Sequence, residues 1–194
     1  MESDRYHTKL HLDQDIPLMD IDRLAQQITI AQAADGGTDT AEMAFIIRFR
    51  DLDEAKEIGT LLSVLYPQPQ SALLGLMELL INAIEHGNLS IGYELKHQLL
   101  TSGRWLSEIK RRLALPENRD KYVEIFFKNS PTDIQITITD AGNGFDSLFY
   151  QNRIMSEIET LNGRGLILAR TLAFDDMIHN SAGNAVTAIT QLSI

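Results

Sequence analysis

Two polar residues, Glu78 and Asn82, interrupt an almost entirely apolar stretch of the chain, residues 71–84. A spacing of four residues places their side chains on one face of a helix. A carboxylate and a carboxamide in that arrangement could reach one Mg²⁺ ion and one reacting hydroxyl group. Burying either group without a partner would cost several kcal/mol, so each is expected to have a bonding role. The alternative is that the two groups only pair with each other or cap loops.

Two glycine-containing segments follow, each beside a predicted regular element. The first, Asp140-Ala141-Gly142-Asn143-Gly144, comes after an alternating run that predicts a strand, so Asp140 would stand at the strand end. The second, Gly163-Arg164-Gly165, precedes an apolar run that predicts a helix, whose N-terminus would offer N–H groups and a positive dipole end to phosphate. Together with the helix pair, these segments fit one ATP site. A plain turn after the strand is the alternative at Asp140.

The three segments resemble those of the GHKL ATPase superfamily, and within it the anti-sigma-factor type of serine kinase. That domain is similar to the ATP-binding domain of sensor histidine kinases. The resemblance covers roughly residues 41–194. Within the family, residues 86–93 and 115–119 resemble stretches of domains that are fused to, or paired with, response regulators and protein phosphatases of type 2C.

The resemblance implies ATP and Mg²⁺ as cofactors and gives most of these residues a role. Glu78 would be the general base that accepts the proton of a serine or threonine hydroxyl, and Asn82 would hold the Mg²⁺ ion that bridges the phosphates. Asp140 would accept a hydrogen bond from the amino group of adenine. The other nucleotide contacts would come from glycines: Gly142 and Gly144 after the strand, Gly163 and Gly165 over the triphosphate, and Gly183 in the last hairpin.

Three positions have roles that stay open. His86 lies one turn beyond Asn82, where it could reach a phosphate or be a histidine bonded within the core or a loop. Arg164 either contacts a phosphate or is a surface arginine beside two functional glycines. Relatives usually carry a hydroxyl residue after the last hairpin glycine, whereas this chain has Asn184, with Thr187 slightly later. The contact made at that corner is therefore open.

Composition limits the class of protein. At 194 residues, with 44% hydrophobic and 23% charged residues, the chain is expected to form one soluble globular domain with an appendage. The net charge of -10 argues against nucleic acid as a partner. The absence of cysteine excludes disulfides, thiolate catalysis and zinc–thiolate sites. No apolar run approaches a membrane span and no signal-peptide core is visible, so we expect a cytoplasmic protein without a membrane partner.

The chain divides into an N-terminal extension, residues 1–40, and the predicted ATP-binding domain, residues 41–194. Residues 20–34 have the apolar spacing of an amphipathic helix. That helix could dock on a partner or on a second copy, which would make a homodimer, or it could pack on its own domain.

The rest of the pattern predicts an α/β two-layer sandwich, with a mixed, mainly antiparallel sheet that carries its helices on one face. The segment 144–162 has the composition of a mobile lid over the nucleotide. Residues 110–112, all basic, are expected to be a solvated face, with an anion or partner contact as the alternative. The predicted strands are 42–50, 122–128, 133–139, 176–180 and 185–193, and the predicted helices are 51–65, 71–84 with Ser71 as its cap, 93–113 and 165–173.

Two functions stay open. The first is an ATP-dependent protein-serine/threonine kinase that phosphorylates a STAS-like anti-anti-sigma protein and also binds a sigma factor or a response regulator. The second is a nucleotide-gated interaction module that transfers no phosphate. The presence of Glu78 favours the first. A histidine kinase is disfavoured because His7 and His11 lie in a polar stretch rather than on a convincing dimerisation helix.

Overall fold

The computed structural model describes residues 16–34, 42–144 and 173–192. Within these ranges the chain forms an α/β structure with a mixed six-stranded sheet. The predicted lid, residues 144–162, and the predicted helix 165–173 lie almost wholly outside the described residues. The elements are β1 (Leu18–Met19), α1 (Ile21–Ala34), β2 (Met43–Phe49), α2 (Leu52–Ser63), α3 (Pro69–Asn82), a π-helix (Ala83–Asn88), α4 (Tyr93–Thr101), α5 (Trp105–Leu113), a 3₁₀ turn (Pro116–Asn118), β3 (Val123–Asn129), β4 (Asp133–Thr139), β5 (Asp176–His179) and β6 (Ala185–Gln191).

The strand order in the sheet is β1-β2-β3-β4-β6-β5. Strand β1 is parallel to β2, and the other neighbouring pairs are antiparallel. The predicted strands 122–128 and 133–139 form the β3–β4 hairpin, and the predicted last hairpin is confirmed as β5–β6. This arrangement agrees with the predicted α/β class and is compatible with a sandwich of helices on a sheet.

One face of the sheet forms the core. Phe45 of β2 is fully buried and stacks on Phe127 of β3, with ring centroids 5.1 Å apart. The apolar residues of β4 alternate along the strand, as the pattern predicted, and all three are buried: Ile134, Ile136 and Ile138. Fully buried leucines of α2 and α3, Leu62, Leu76 and Leu80, belong to the same cluster. Helices and sheet therefore share a single core in the described part of the chain.

The residues at the N-termini of α2 and α3 explain where these helices begin, and they correct one predicted cap. Asp51, where the predicted helix 51–65 begins, caps α2, because its carboxylate accepts hydrogen bonds from the N–H groups of Asp53 and Glu54, both at 2.9 Å. The predicted cap of α3 at Ser71 is wrong. That helix begins two residues earlier at Pro69, whose missing N–H suits the first turn of a helix.

The predicted helix 93–113 is two helices, α4 and α5. The break lies at Gly103, which has a φ of +67° and donates its N–H to Leu100 O at 3.1 Å. The N–H of Arg104 bonds Leu99 O at 2.9 Å. These two bonds and the left-handed glycine form a Schellman motif, which ends α4 and reverses the chain. We refer to α4 and α5 together as the α4–α5 hairpin.

The N-terminal amphipathic helix is confirmed and packs on the described chain itself. Asp20 caps α1 by accepting a hydrogen bond from the N–H of Arg23 at 2.8 Å. Leu24 and Ile28 are buried in the common core, and the short strand β1 pairs with β2. The apolar stripe of α1 is therefore occupied within the chain rather than presented to a partner.

Among the described residues, no helix is both long and apolar enough to cross a membrane.

We expect Leu24→Ala to lower the free energy of unfolding by about 2 to 5 kcal/mol, because it removes a fully buried side chain from the core. Ile30 lies on the same helix but is 68% exposed, so Ile30→Ala is the matched control and should change stability by no more than about 0.5 kcal/mol. Urea unfolding followed by circular dichroism measures both. Equal effects of the two variants would mean that α1 does not pack on this core.

Candidate functional site

A cavity of about 420 Å³ opens between the end of α3, the π-helix and the ends of β4, β5 and β6. Its size suits a small-molecule ligand. The predicted site residues that line it are Asn82, His86, Asp140, Gly144 and Gly183. Glu78 is hydrogen-bonded to one of them and Gly142 to another, whereas Gly163, Arg164 and Gly165 lie outside the described residues.

Glu78 and Asn82 lie on one face of α3, as their spacing predicted. The side-chain N–H of Asn82 donates to Glu78 Oε1 at 3.0 Å. Because this bond uses the amide nitrogen of Asn82, it leaves the carbonyl oxygen, the atom that a hard cation such as Mg²⁺ prefers. The same bond is also what a purely structural pair would make.

The helix widens after Asn82. Residues Ala83–Asn88 form a π-helix, a feature that often marks functional sites. Within it, Glu85 is fully buried, and its carboxylate accepts hydrogen bonds from Lys96 Nζ at 2.5 Å and from the indole N–H of Trp105. One carboxylate thus attaches both helices of the α4–α5 hairpin to the π-helix.

His86 lines the cavity, but one of its nitrogens is already used. Its Nδ1 is hydrogen-bonded to the carbonyl oxygen of Ile91, and its ring lies on that of Tyr93, with centroids 4.3 Å apart. Burial lowers the pKa of His86 and so favours the neutral ring, whose proton lies on Nδ1 because that nitrogen is bonded to a carbonyl oxygen. The buried Nε2 has no hydrogen-bond partner among the described residues. His86 is therefore a loop-bound histidine that also faces the cavity.

Asp140 stands at the end of β4, as predicted, and several bonds hold it there. Its N–H donates to Asn184 O at 2.9 Å, and its carbonyl oxygen accepts from the side-chain amide of Asn184 at 3.2 Å. The N–H of Ala141 donates to Asn88 Oδ1 at 2.8 Å, and the N–H of Gly142 donates to Asp140 Oδ1 at 2.8 Å. Burial raises the pKa of the Asp140 carboxyl, although the Gly142 N–H and Lys121 act against this.

Asn184 occupies the corner where the resemblance led us to expect a hydroxyl residue. Its amide clamps the backbone of Asp140, and Asn180 Nδ2 holds its Oδ1 at 2.9 Å. Thr187 does not replace the missing hydroxyl at the cavity, because its side chain is hydrogen-bonded to that of Thr137 across the sheet at 2.9 Å. Asn184 therefore positions the acid in this chain.

Gly87 is a site residue that its sequence position alone did not reveal. A Cβ atom at Gly87 would lie 2.2 Å from Asp140 Cγ, and one at Gly142 would lie 2.5 Å from Gly87 O. Both positions must therefore be glycine for the π-helix to touch the strand end. Gly142 was expected to contribute a nucleotide contact, but its need for glycine comes from its contact with Gly87.

The described part of the cavity wall contains no lysine or arginine. Lys96 bonds Glu85, and Lys121 donates to the carbonyl oxygen of Asn88 at 2.8 Å. The described residues also contain no group of three or more His, Asp or Glu side chains able to hold a metal ion. A polyphosphate here would need charge compensation from a cation that it brings with it or from other parts of the chain.

The sequence of the chain matches no protein-family model, and it has no significant match among curated proteins.

We expect Gly87→Ser to lower the free energy of unfolding by about 1 to 3 kcal/mol, because the added Cβ overlaps the side chain of Asp140. Gly92 also lines the cavity, but a Cβ there meets nothing within 4 Å, so Gly92→Ser is the matched control and should be nearly neutral. Thermal unfolding compares the two. Equal stability of both variants would show that the Gly87–Asp140 contact is looser than described.

Proposed function

We propose that this chain binds ATP with Mg²⁺ in the cavity and acts as a cytoplasmic protein-serine/threonine kinase of the anti-sigma-factor type. The proposal includes a GHKL-type two-layer fold with the helices on one face of the sheet. The observation that carries it is one cavity whose wall holds both Asn82, bonded to Glu78 on one helix face, and Asp140 at a strand end. The resemblance of the three sequence segments to that family supports the same reading.

Asp140 would form the base end of the site. One of its carboxylate oxygens is bonded to the N–H of Gly142, so the other would accept the amino group of adenine. The apolar wall nearby would pack against the faces of the base; it consists of Leu79, Ala83, Ile138 and Val186. A carboxylate whose ionised form is disfavoured by burial gains from such a donor, which supports its role in recognition.

Asn82 and Glu78 would form the reacting end. Asn82 would hold Mg²⁺ through its carbonyl oxygen, and the ion would supply charge stabilisation for the phosphates. The hydroxyl oxygen of the acceptor would attack the γ-phosphorus, the bond between that phosphorus and the oxygen of ADP would break, and Glu78 would take the hydroxyl proton. The resemblance implies closure over the triphosphate by Gly163, Arg164 and Gly165. A phosphate contact by His86 would need a second ring proton, on Nε2, because its Nδ1 proton is already bonded to the carbonyl oxygen of Ile91.

The proposed acceptor is a STAS-like anti-anti-sigma protein, with a sigma factor or response regulator as a second partner. One observation favours the alternative, a nucleotide-gated interaction module without transfer. Asn82 lies in the described cavity wall but Glu78 does not, and one Glu78 oxygen is already bonded to Asn82. Direct assay must separate the two functions.

Substitution of the two helix residues should give different losses. Glu78→Gln should keep the Mg-ATP affinity within a few-fold and lower phosphoryl transfer by on the order of 10² to 10⁴, the usual contribution of a positioned base. Asn82→Ala should make the ATP affinity similar with and without Mg²⁺. Calorimetry measures affinity, and labelled ATP with the STAS-like proteins of the same cell measures transfer.

Measurements of phosphoryl transfer and of partner binding by the wild type decide how these results are interpreted. Transfer to a STAS-like protein supports the kinase. If no such protein is phosphorylated while ATP still changes its affinity for the chain, the interaction module stands. If neither substitution alters binding or transfer, the pair is structural.

Asp140→Asn should bind ATP more weakly by about 2 to 4 kcal/mol, because a charge-assisted hydrogen bond is lost.

The Asp140→Asn variant without nucleotide should be more stable than the wild type at neutral pH. The folded-state pKa of Asp140 is raised above its ordinary value of 3.8, so its stabilising contribution is complete below that value and is lost as the pH rises through the raised pKa. Asparagine does not titrate, so the variant keeps its stability as the pH rises. The difference in Tm between the variant and the wild type should therefore vanish at acid pH. Near-native ATP affinity would remove Asp140 from the site.

A further inference from the structure

The segment Asn88–Ile91, here called the wall segment, begins at the last residue of the π-helix, and its residues Ser90 and Ile91 line the cavity. All four of its carbonyl oxygens accept hydrogen bonds from side chains. Lys121 Nζ donates to Asn88 O at 2.8 Å, and His86 Nδ1 binds Ile91 O. Arg112 Nη1 donates to the two carbonyl oxygens between them, Leu89 O at 2.7 Å and Ser90 O at 3.1 Å.

These bonds surround Ser90, whose backbone conformation is strained. It has a φ of +52° and is the only non-glycine residue in the described ranges with a positive φ. A side chain in the left-handed region raises the energy of the backbone, so other contacts must hold it there. The carbonyl groups that Arg112 binds belong to the peptide units before and after Ser90. Arg112 therefore fixes the two planes whose relative orientation is the left-handed conformation.

Arg112 is itself held by the α4–α5 hairpin. Its Nε donates to Glu108 Oε1 at 2.8 Å, and its carbonyl oxygen accepts from Asn118 Nδ2 at 3.0 Å. The hairpin is attached independently to the π-helix through the buried carboxylate of Glu85. Two separate contacts, one to the π-helix and one to the wall segment, therefore couple the hairpin to the cavity.

We propose that Arg112 is a positioning residue for the nucleotide site. It holds Ser90 in the left-handed conformation and thereby fixes the wall segment against His86, so that the position of the α4–α5 hairpin sets the affinity for nucleotide. This inference rests on the proposed function for its ligand, but the conformational part concerns the nucleotide-free chain. When Arg112 is withdrawn, Ser90 relaxes to a negative φ and the Ile91 carbonyl leaves Nδ1 of His86.

The chain provides a matched control for this residue. Arg111 and Arg112 both bond Glu108, but only Arg112 also bonds the wall segment, and the side chain of Arg111 is 58% exposed against 20% for Arg112. Arg112→Gln should weaken the binding of Mg-ADP by about five- to thirtyfold, the population shift expected from one strained residue. Arg111→Gln should change it less than about twofold. Calorimetry measures both.

A double-mutant cycle separates this role from general support of the fold. Glycine adopts a positive φ without strain, so Arg112→Gln should cost much less affinity in a Ser90→Gly background than in the wild type. Equal losses in the two backgrounds would overturn the proposal, because Arg112 would then act by another route. If Arg112→Gln does not fold, Arg112→Lys takes its place in the test, because a lysine cannot reproduce the geometry of the guanidinium group.

Hydrogen exchange of the nucleotide-free variants keeps this test distinct from that of the proposed function. Arg112→Gln should speed the exchange of amides 89–93, and Arg111→Gln should not. If the wild type binds no nucleotide, the proposed function fails, and the exchange result alone decides whether Arg112 fixes the wall segment. Equal exchange in the two variants would overturn the inference whatever the wild type binds.

Discussion

The cavity depends on a direct contact between the backbone of Gly87 and the side chain of Asp140. Neither Gly87 nor Gly142 leaves room for a Cβ atom, so the π-helix and the end of β4 lie in direct backbone contact. Asn88 and Asn184 then fix the strand end by bonding its peptide groups. Helix and sheet are thus joined where the acid of the candidate site stands, and the acid needs no flexible loop to carry it.

A second constraint comes from the buried charge of Glu85. A carboxylate with no solvent exposure must be paired and hydrogen-bonded, because leaving it alone would be strongly destabilising. Lys96 and Trp105 meet that need, one from each helix of the α4–α5 hairpin. The hairpin is therefore anchored by electrostatics next to the cavity, and Arg112 reaches the wall segment from this fixed base. The bonds that hold the hairpin in the fold are therefore also the bonds that position the cavity wall.

Local patterns predicted much of this structure. The alternation of Ile134, Ile136 and Ile138 indicated β4 and put Asp140 at its end, and the four-residue spacing gave the Glu78–Asn82 face. The π-helix has no such signal, because residues 71–84 before it are almost entirely apolar, so the shift that one extra residue in a turn produces is not visible in the pattern. The break at Gly103 does have a sequence signal, because a glycine stands inside the predicted helix 93–113. Gly87 and Arg112 act through partners distant in sequence, so no local pattern distinguishes Arg112 from Arg111.

Trp105 has a practical consequence of its own. It is the single tryptophan among the 194 residues, and its indole N–H is bonded to a buried carboxylate where the hairpin meets the π-helix. Indole emission responds to the polarity and hydrogen bonding around the ring. The ultraviolet fluorescence of the whole protein, excited selectively at tryptophan, thus originates at one joint beside the cavity. A change in the emission of Trp105 would therefore report movement of the α4–α5 hairpin relative to the π-helix, without a dye or an engineered label.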